Sequence, residues 1–203
     1  MRLLTSIEPR LAYFPFTPGR SAAKLTGMPK RFSPQIDISM ADRSIRVSRK
    51  EIEELVCFVV AAEGRTVGHV DVAIVSSDDI AEHNRRFLLH RGPTDVISFD
   101  LSDASIPGVS AQIIASAQVA KRQAPTHGTK PKDELLLYVV HGLLHVMGYD
   151  DTAVRAAARM SARQDELLRA FAKRHKASSK QPTANPKEAA SSRRPAPKPR
   201  KTT

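Results

Sequence analysis

The chain has 203 residues with 32 basic and 21 acidic side chains, which gives a net charge of +11 at pH 7. Its one cysteine, Cys57, excludes an internal disulfide framework, and no apolar run reaches the roughly 18 residues of a membrane span. No signal-peptide core follows Met1, so we expect a protein of the reducing cytoplasm in which Cys57 is a buried structural thiol.

The positive charge is concentrated at the two ends of the chain. Residues 1–35 carry six Lys and Arg against one acidic residue, and residues 173–203 carry ten against one, whereas residues 36–172 carry sixteen against nineteen. We therefore predict a disordered basic leader over residues 1–35, one folded domain over residues 36–173 and a disordered basic tail over residues 174–203.

Several roles are open for the two ends. The leader could be a functional arm, a transit peptide or a stretch that is not translated, because Met28 offers a second start. The tail could attract RNA through phosphate contacts that do not depend on sequence, or it could be solvated without a specific partner.

The first half of the domain is predicted to begin with a strand near residues 36–38. Ser48 and Glu51 have the spacing of a capping box, so a helix should start after Ser48. An apolar stripe at helical spacing then faces the core, and Gly64 ends the helix. The stripe consists of Ile52, Leu55, Val56, Val59 and Val60.

A strand and a short helix are predicted next. Residues 69–75 alternate apolar and more varied positions, which is typical of a strand in a sheet. Ser77 is predicted to cap a helix that runs to Phe87. The core side of this helix should consist of Ile80, Asn84 and Phe87. His69 and His83 have no ligand-type neighbour at useful spacing, so we interpret them as surface or hydrogen-bonded polar residues.

The second half is predicted to add two strands and three helices. The strands should lie at residues 96–99 and 112–116, and the helices at residues 117–124, 132–147 and 152–173. Pro125 and Gly128 should break the first of these helices. The inward side of the last helix should consist of Val154, Ala158, Leu167, Leu168 and Phe171. This order of elements predicts an α+β fold with one mixed sheet of about four strands packed with helices.

The most informative stretch follows the apolar run 134–140. His141 and His145 are four residues apart on a predicted helix, so their imidazoles lie on one face and can share a cation. Gly148 allows the chain to turn, and Asp151 three residues later can swing back toward the pair. Two imidazoles, one carboxylate and a fourth position left to water form the ligand set of a catalytic zinc site.

Two other interpretations of this stretch are weaker. A core helix could carry both histidines with local hydrogen bonds alone, but burying two imidazoles without partners is costly. A zinc peptidase would need a general base beside the first histidine, and Gly142 occupies that position.

The segment from His141 to Asp150 resembles the signature of the YbeY family, bacterial metal-dependent endoribonucleases of ribosomal RNA maturation. Two upstream stretches, residues 83–87 and 93–99, are also similar to that family. The resemblance covers residues 45–170, and the motifs occur in the family's order.

The resemblance implies a zincin-like metal helix and one Zn²⁺ ion held by His141, His145 and Asp151. It implies a cytoplasmic hydrolase that cleaves single-stranded RNA near the 3′ end of small-subunit ribosomal RNA and acts in ribosome quality control. Its partners would be ribosomal RNA precursors and the ribosome or its proteins, without a small-molecule cofactor. An alternative is a ribosome-associated assembly factor whose metal site is structural and which does not cut RNA.

Three positions depart from the family pattern. Asp151 stands where many members have a third histidine, Leu88 where an arginine is common, and Gln112 where an acidic residue is usual. Contacts to RNA phosphates would then have to come from Arg85, Arg86 or Arg91. Catalytic residues beyond the metal centre are unknown; Asp150 and Arg86 are candidates, and Asp150 could instead cap the last helix.

Overall fold

A computed structural model describes residues 33–88, 92–103 and 107–178 of the chain. The predicted leader and tail, residues 1–35 and 174–203, fall largely outside these ranges. Within them, no helix combines the length and the apolar character needed to cross a membrane.

The described residues contain one open sheet of four strands. The strands are β1 (Gln35–Met40), β2 (Val67–Val75), β3 (Val96–Asp100) and β4 (Val109–Ser116). Their order across the sheet is β1-β2-β4-β3. Strands β1, β2 and β4 run parallel, and β3 pairs antiparallel with β4 at one edge.

Five α-helices accompany the sheet in the described part of the chain. They are α1 (Arg49–Ala62), α2 (Ser77–His83), α3 (Ala117–His127), α4 (Pro131–Val146) and α5 (Val154–Ser178). Helices α1, α3 and α4 lie on one face of the sheet, and α5 packs against α1 and α4. Helix α2 covers the other face, where Ile80 packs with Ile97 and Ile114. The predicted α+β fold with one mixed sheet is confirmed.

The predicted stripe of α1 is confirmed, because all five of its apolar residues are buried. The Oγ atom of Ser48 accepts a hydrogen bond from the Glu51 N–H at 3.0 Å, as a helix cap should. The Glu51 carboxylate binds Lys132 of α4 at 2.8 Å instead of closing a capping box.

The prediction for the helix after β2 is wrong in two details. Its cap is Ser76 rather than Ser77, and Ser76 and Asp79 form a complete capping box. Phe87, predicted to face the core, is 37% exposed. Asn84–Leu88 form a π-helical turn after α2, and its wider spacing takes Phe87 out of phase with buried Ile80.

The inward side of α5 also differs from the prediction. Val154 is 87% exposed and Ala158 is exposed as well. The buried positions of α5 are Met160, Gln164, Leu167 and Phe171. Ala158 precedes Leu167 by nine residues, which places it about half a turn around the helix at 3.6 residues per turn.

Two further predictions are corrected. Pro125 does not end α3, which continues to His127 and stops at Gly128 with φ of 65°. Since Pro125 lies in the exposed last turn, its missing N–H donor costs little. Cys57 is exposed on α1 rather than buried, and partial desolvation, with Glu53 and Glu54 nearby, raises the pKa of its thiol.

Candidate metal centre

Helix α4 extends from the core to the candidate site. Pro131 occupies its first turn, where a missing N–H donor is harmless, and Asp133 complements the helix dipole. Every residue from 135 to 144 is buried. The helix approaches the sheet at Gly142, where an added Cβ would lie 3.1 Å from Ile113 Cδ1. Position 142 thus faces the sheet.

His141 and His145 project from one side of α4, as their spacing predicts. Their ring centroids are 4.4 Å apart with the planes at 85°. The two Nε2 atoms approach to 2.9 Å, and His141 is only 6% exposed.

The turn after α4 returns the chain to these histidines. Gly148 has φ of 96°, and its N–H donates to the carbonyl oxygen of His145 at 2.9 Å. Asp151 then places Oδ2 at 3.7 Å from His145 Nε2 and 4.0 Å from His141 Nε2. One ligand atom from each residue lies within 4.8 Å of the other two, and the described residues contain no other such group of three.

Both histidines are fixed through their other ring nitrogen. His141 Nδ1 lies 2.7 Å from Gln164 Oε1, and His145 Nδ1 lies 3.0 Å from the carbonyl oxygen of Tyr149. Since both partners are acceptors, each Nδ1 carries the proton and donates it. Each Nε2 atom is therefore left with a lone pair that faces the site.

The unsatisfied atoms at this site fit a cation. Two Nε2 lone pairs that face each other at 2.9 Å have no proton between them in the tautomers that Gln164 and Tyr149 select. Asp151 Oδ1 is buried and has no hydrogen-bond partner. A buried carboxylate oxygen without a partner is costly, and a divalent cation among these three side chains would satisfy all of them.

The surroundings of His141 favour the neutral imidazole that a metal ligand requires. Burial, and next the nearby His145, lower the pKa of His141. The hydrogen bond that His141 donates to Gln164 and the carboxylates of Asp95 and Asp151 oppose this shift without reversing it.

Side chains from the segment that follows α1, and from α5, hold the turn after α4 in place. Tyr149 Oη donates to Glu63 Oε2 at 3.0 Å, and Arg163 Nε donates to Glu63 Oε1 at 2.8 Å. Arg65 Nη2 donates to the carbonyl oxygen of Met147 at 3.1 Å. Partial desolvation and the adjacent Glu63 raise the pKa of Tyr149, so its phenol keeps its proton as a donor.

Asp150 is bound by Thr152 and does not belong to the group of His141, His145 and Asp151. Its carboxylate accepts from the N–H of Thr152 at 2.9 Å and from Thr152 Oγ1 at 2.7 Å. These two hydrogen bonds lower the pKa of Asp150. A carboxylate already engaged in this way is a poor proton acceptor, whereas Asp151 has the free oxygen and the position beside the imidazoles.

The predicted phosphate-binding arginines are not gathered at the ligand cluster. Arg85 pairs with Glu82, and the Arg86 guanidinium lies 5.4 Å from the centre of the Phe87 ring. Phe87 meets Phe99 on the sheet face opposite α4. Arg91 lies outside the described residues.

Gln112 also lies on the face away from α4, since it alternates with Ile113 along β4. Its Nε2 atom donates to Asp71 Oδ2 at 3.3 Å. An acidic residue at position 112 would therefore be separated from the histidines by the sheet, and this departure does not remove an acceptor from them.

The acceptor that matters for His141 is Gln164, which the sequence analysis missed. Gln164 is 3% exposed and lies in the buried stripe of α5 between Met160 and Leu167. A polar residue between apolar core positions was the available signal. The predicted inward side of α5 is confirmed at Leu167 and Phe171 but is wrong at Val154 and Ala158, so Gln164 was not assigned to it.

The chain is similar to known proteins over most of its length. The family model described as Endoribonuclease YbeY matches residues 36–172. An Endoribonuclease YbeY from Bacillus subtilis is 36% identical over 148 residues, which are 66% of this chain and 94% of that protein. One from Rhodopirellula baltica is 38% identical over 126 residues, 61% of this chain and 64% of that protein.

A solved structure has a similar fold. The solution structure of TM1509 from Thermotoga maritima is similar with a TM-score of 0.52 and 26% identity, over 74% of this chain and 99% of that protein. Since the family match covers well over half of the sequence, the chain belongs to the YbeY family of endoribonucleases.

Proposed function

We propose that this protein is a zinc-dependent endoribonuclease that cleaves single-stranded RNA in the maturation of the 3′ end of small-subunit ribosomal RNA. It would act in the cytoplasm on ribosomal precursors, in contact with the ribosome or its proteins, and contribute to ribosome quality control. The observation that carries this proposal is the partly buried, incompletely hydrogen-bonded cluster of His141, His145 and Asp151 in a chain of the endoribonuclease family.

The three side chains would hold one Zn²⁺ ion. A zinc ion bound there supplies Lewis acidity toward a phosphoryl oxygen and an attacking water. The described residues offer no fourth His, Cys, Asp or Glu to the cluster, which supports a catalytic rather than a structural site.

The chain's own contribution is preorganisation. Gln164 and the carbonyl of Tyr149 keep the Nδ1 protons in place, so both Nε2 atoms remain available as ligands throughout the reaction. Asp151 brings one negative charge to the cluster and leaves less positive charge on the metal than a third histidine would. We therefore expect a weaker Lewis acid with broader metal selectivity than in relatives with three histidines.

Neutralisation of phosphate by Arg85, Arg86 or Arg91 stays part of the proposal. Arg85 is the weakest of these candidates because Glu82 already neutralises it. Asp150 is a weak candidate for proton transfer, since Thr152 occupies its carboxylate.

Metal content tests the proposal most directly. Protein purified without an affinity histidine tag should contain about one zinc per chain, and both His141→Ala and Asp151→Ala should lose it. Asp150→Asn is the matched control, because it changes the neighbouring carboxylate, keeps an acceptor for Thr152 and should retain the metal.

The two variants that lose the metal, His141→Ala and Asp151→Ala, should also fail to cleave a small-subunit RNA precursor that the wild type cleaves. A folded wild-type protein without metal and without cleavage would contradict the proposal and favour the non-cutting assembly factor.

A further inference from the structure

A pocket with a strongly basic lining lies far from the metal centre, in the loop between β1 and α1. Its volume is ≈ 350 Å³. It is lined by Met40, Arg43, Ile45, Arg46, Val47 and Arg49. All three arginines are exposed, whereas Ile45 is 6% exposed and forms part of an apolar floor.

The three arginines of the pocket have no counter-charge in the described part of the chain. Within the described ranges, none of them forms an ion pair or a side-chain hydrogen bond. Asp42, the acidic residue of the loop, accepts from the Ser44 N–H at 2.7 Å. Glu51 at the start of α1 is taken by Lys132 at 2.8 Å. Three unpaired charges therefore converge on one pocket of a domain that is otherwise slightly acidic.

The chemistry of this pocket suits phosphate groups. Guanidinium groups bind phosphate through two parallel hydrogen bonds, and they do so better than lysines. Arg49 is also the first residue of α1, so the positive end of that helix dipole adds to the attraction. Met40, Ile45 and Val47 give a ribose or base an apolar surface beside the phosphates.

The position of the pocket relates it to the metal centre. Helix α1 runs from Arg49 to Ala62, and the next residue, Glu63, binds the Tyr149 hydroxyl in the turn after α4. The pocket and the turn are therefore about 20 Å apart, at 1.5 Å per helical residue. A stacked strand covers that distance with about six nucleotides at 3.4 Å each.

We propose that Arg43, Arg46 and Arg49 form a second RNA-binding site, which holds the phosphates of a single strand about six nucleotides from the position at the metal centre. This inference rests on the proposed function for the identity of the polymer. It does not rest on cleavage, because phosphate binding by the pocket can be measured without metal.

Binding of a fluorescent 12-nucleotide oligouridylate to the full-length, metal-free chain tests the site. The variant R43Q/R46Q/R49Q should bind about tenfold more weakly than wild type at low salt. Its slope of log affinity against log salt should be smaller by about two, since each phosphate contact on a single strand contributes about 0.7.

Two matched variants isolate the effect. K198Q/R200Q/K201Q removes the same charge from the basic tail, and R43K/R46K/R49K keeps the charge in the pocket. Both should bind better than the glutamine variant of the pocket, and the lysine variant should recover the salt slope.

Three outcomes would overturn the site. The site is overturned if the tail variant loses as much affinity as R43Q/R46Q/R49Q, since charge alone then explains binding. It is also overturned if the pocket variant binds the oligouridylate as tightly as wild type does. If the pocket variant loses affinity only for an oligoglutamate peptide, tested in the same assay, RNA is excluded as the ligand of the pocket.

Cleavage by zinc-loaded wild type, measured in parallel, separates this inference from the proposed function. Pocket-dependent binding without cleavage would overturn the function and leave the site standing. Cleavage with pocket-independent binding would overturn the site alone.

Discussion

Helix α4 has a carboxylate paired with histidine near each of its ends, and the two carboxylates differ in their hydrogen bonding. Near the start, Glu134 is 1% exposed, and its two oxygens bind His127 Nδ1 and Thr129 Oγ1, each at 2.8 Å. After the end, Asp151 lies beside two imidazoles with one buried oxygen that has no partner.

The difference is between a carboxylate that is fully hydrogen-bonded and one that is not. A buried carboxylate whose oxygens are both satisfied ties the α3–α4 connection together and needs nothing further. A buried carboxylate oxygen with a missing partner, next to two imidazole lone pairs, is unsatisfied, and the proposed cation would complete it. The presence of histidine and acid alone would not distinguish the two ends.

Asp151→Ala should show the largest effect of any change that tests this contrast. We expect RNA cleavage to fall about 1,000-fold, because one of three ligands is lost. In the metal-free protein, the free energy of unfolding should stay the same or rise, since the change removes a buried oxygen that has no partner and no hydrogen bond is lost. Cleavage assays and urea unfolding in a chelator measure both, and a large loss of metal-free stability would contradict the contrast.

Glu134→Ala should produce the opposite result. Removing this acid leaves His127 and Thr129 without their buried partner, which should lower the free energy of unfolding by about 3 kcal/mol. Zinc per folded chain should stay at the wild-type level. Asp133→Ala, at the exposed neighbouring position, is the control for the loss of charge. Equal destabilisation by the two variants would show that burial of Glu134 is unimportant.

Gln164→Leu sharpens the contrast, because it removes the acceptor of His141 without removing a ligand. We expect zinc affinity to fall about 10- to 100-fold. Gln164→Glu restores an acceptor oxygen and should recover the affinity, which a purely structural role would not predict. Competition with a zinc-binding dye measures the zinc affinity of both variants. A leucine variant with wild-type affinity would show that Gln164 does not contribute to zinc binding.

Gly142→Ala should have the smallest effect. Its Cβ would lie 3.1 Å from Ile113 Cδ1, so α4 or Ile113 must shift, at about 1–2 kcal/mol of stability. Zinc binding should persist, because position 142 faces the sheet. Thermal unfolding with and without zinc measures this, and an unchanged melting temperature would mean that Ile113 adapts freely.

Local patterns in the sequence were sufficient for much of the fold. The apolar stripe of α1 and the alternation in β2 were predicted correctly, because the spacing of buried residues is the same along the whole of each element. Phe87 was misplaced because a π-helical turn breaks the period after α2. Val154 and Ala158 were misplaced because the phase of a long helix cannot be fixed when small residues occur on several sides.

The candidate site was predictable to the extent that it is local. The spacing of His141 and His145 and the turn at Gly148 were sufficient to predict that Asp151 returns to the histidines, and the structure brings the three together. The partners that orient them were not predictable, because Gln164 reaches His141 from another helix. The arginine pocket was missed because its residues form no motif and their charge is hidden in a slightly acidic domain.

The contacts that hold the turn after α4 in place have a consequence for the order of folding. The three proposed ligands lie within eleven residues of sequence, but the hydrogen bonds of Arg65, Tyr149 and Arg163 that brace the turn after α4 span 82, 86 and 100 residues. Such distant pairings form late, after the cost of closing long loops has been met. A chain with α4 formed but α1 and α5 undocked carries every proposed ligand without the geometry to bind a metal. Zinc uptake should therefore report that the whole domain, including its last helix, has been synthesised and assembled.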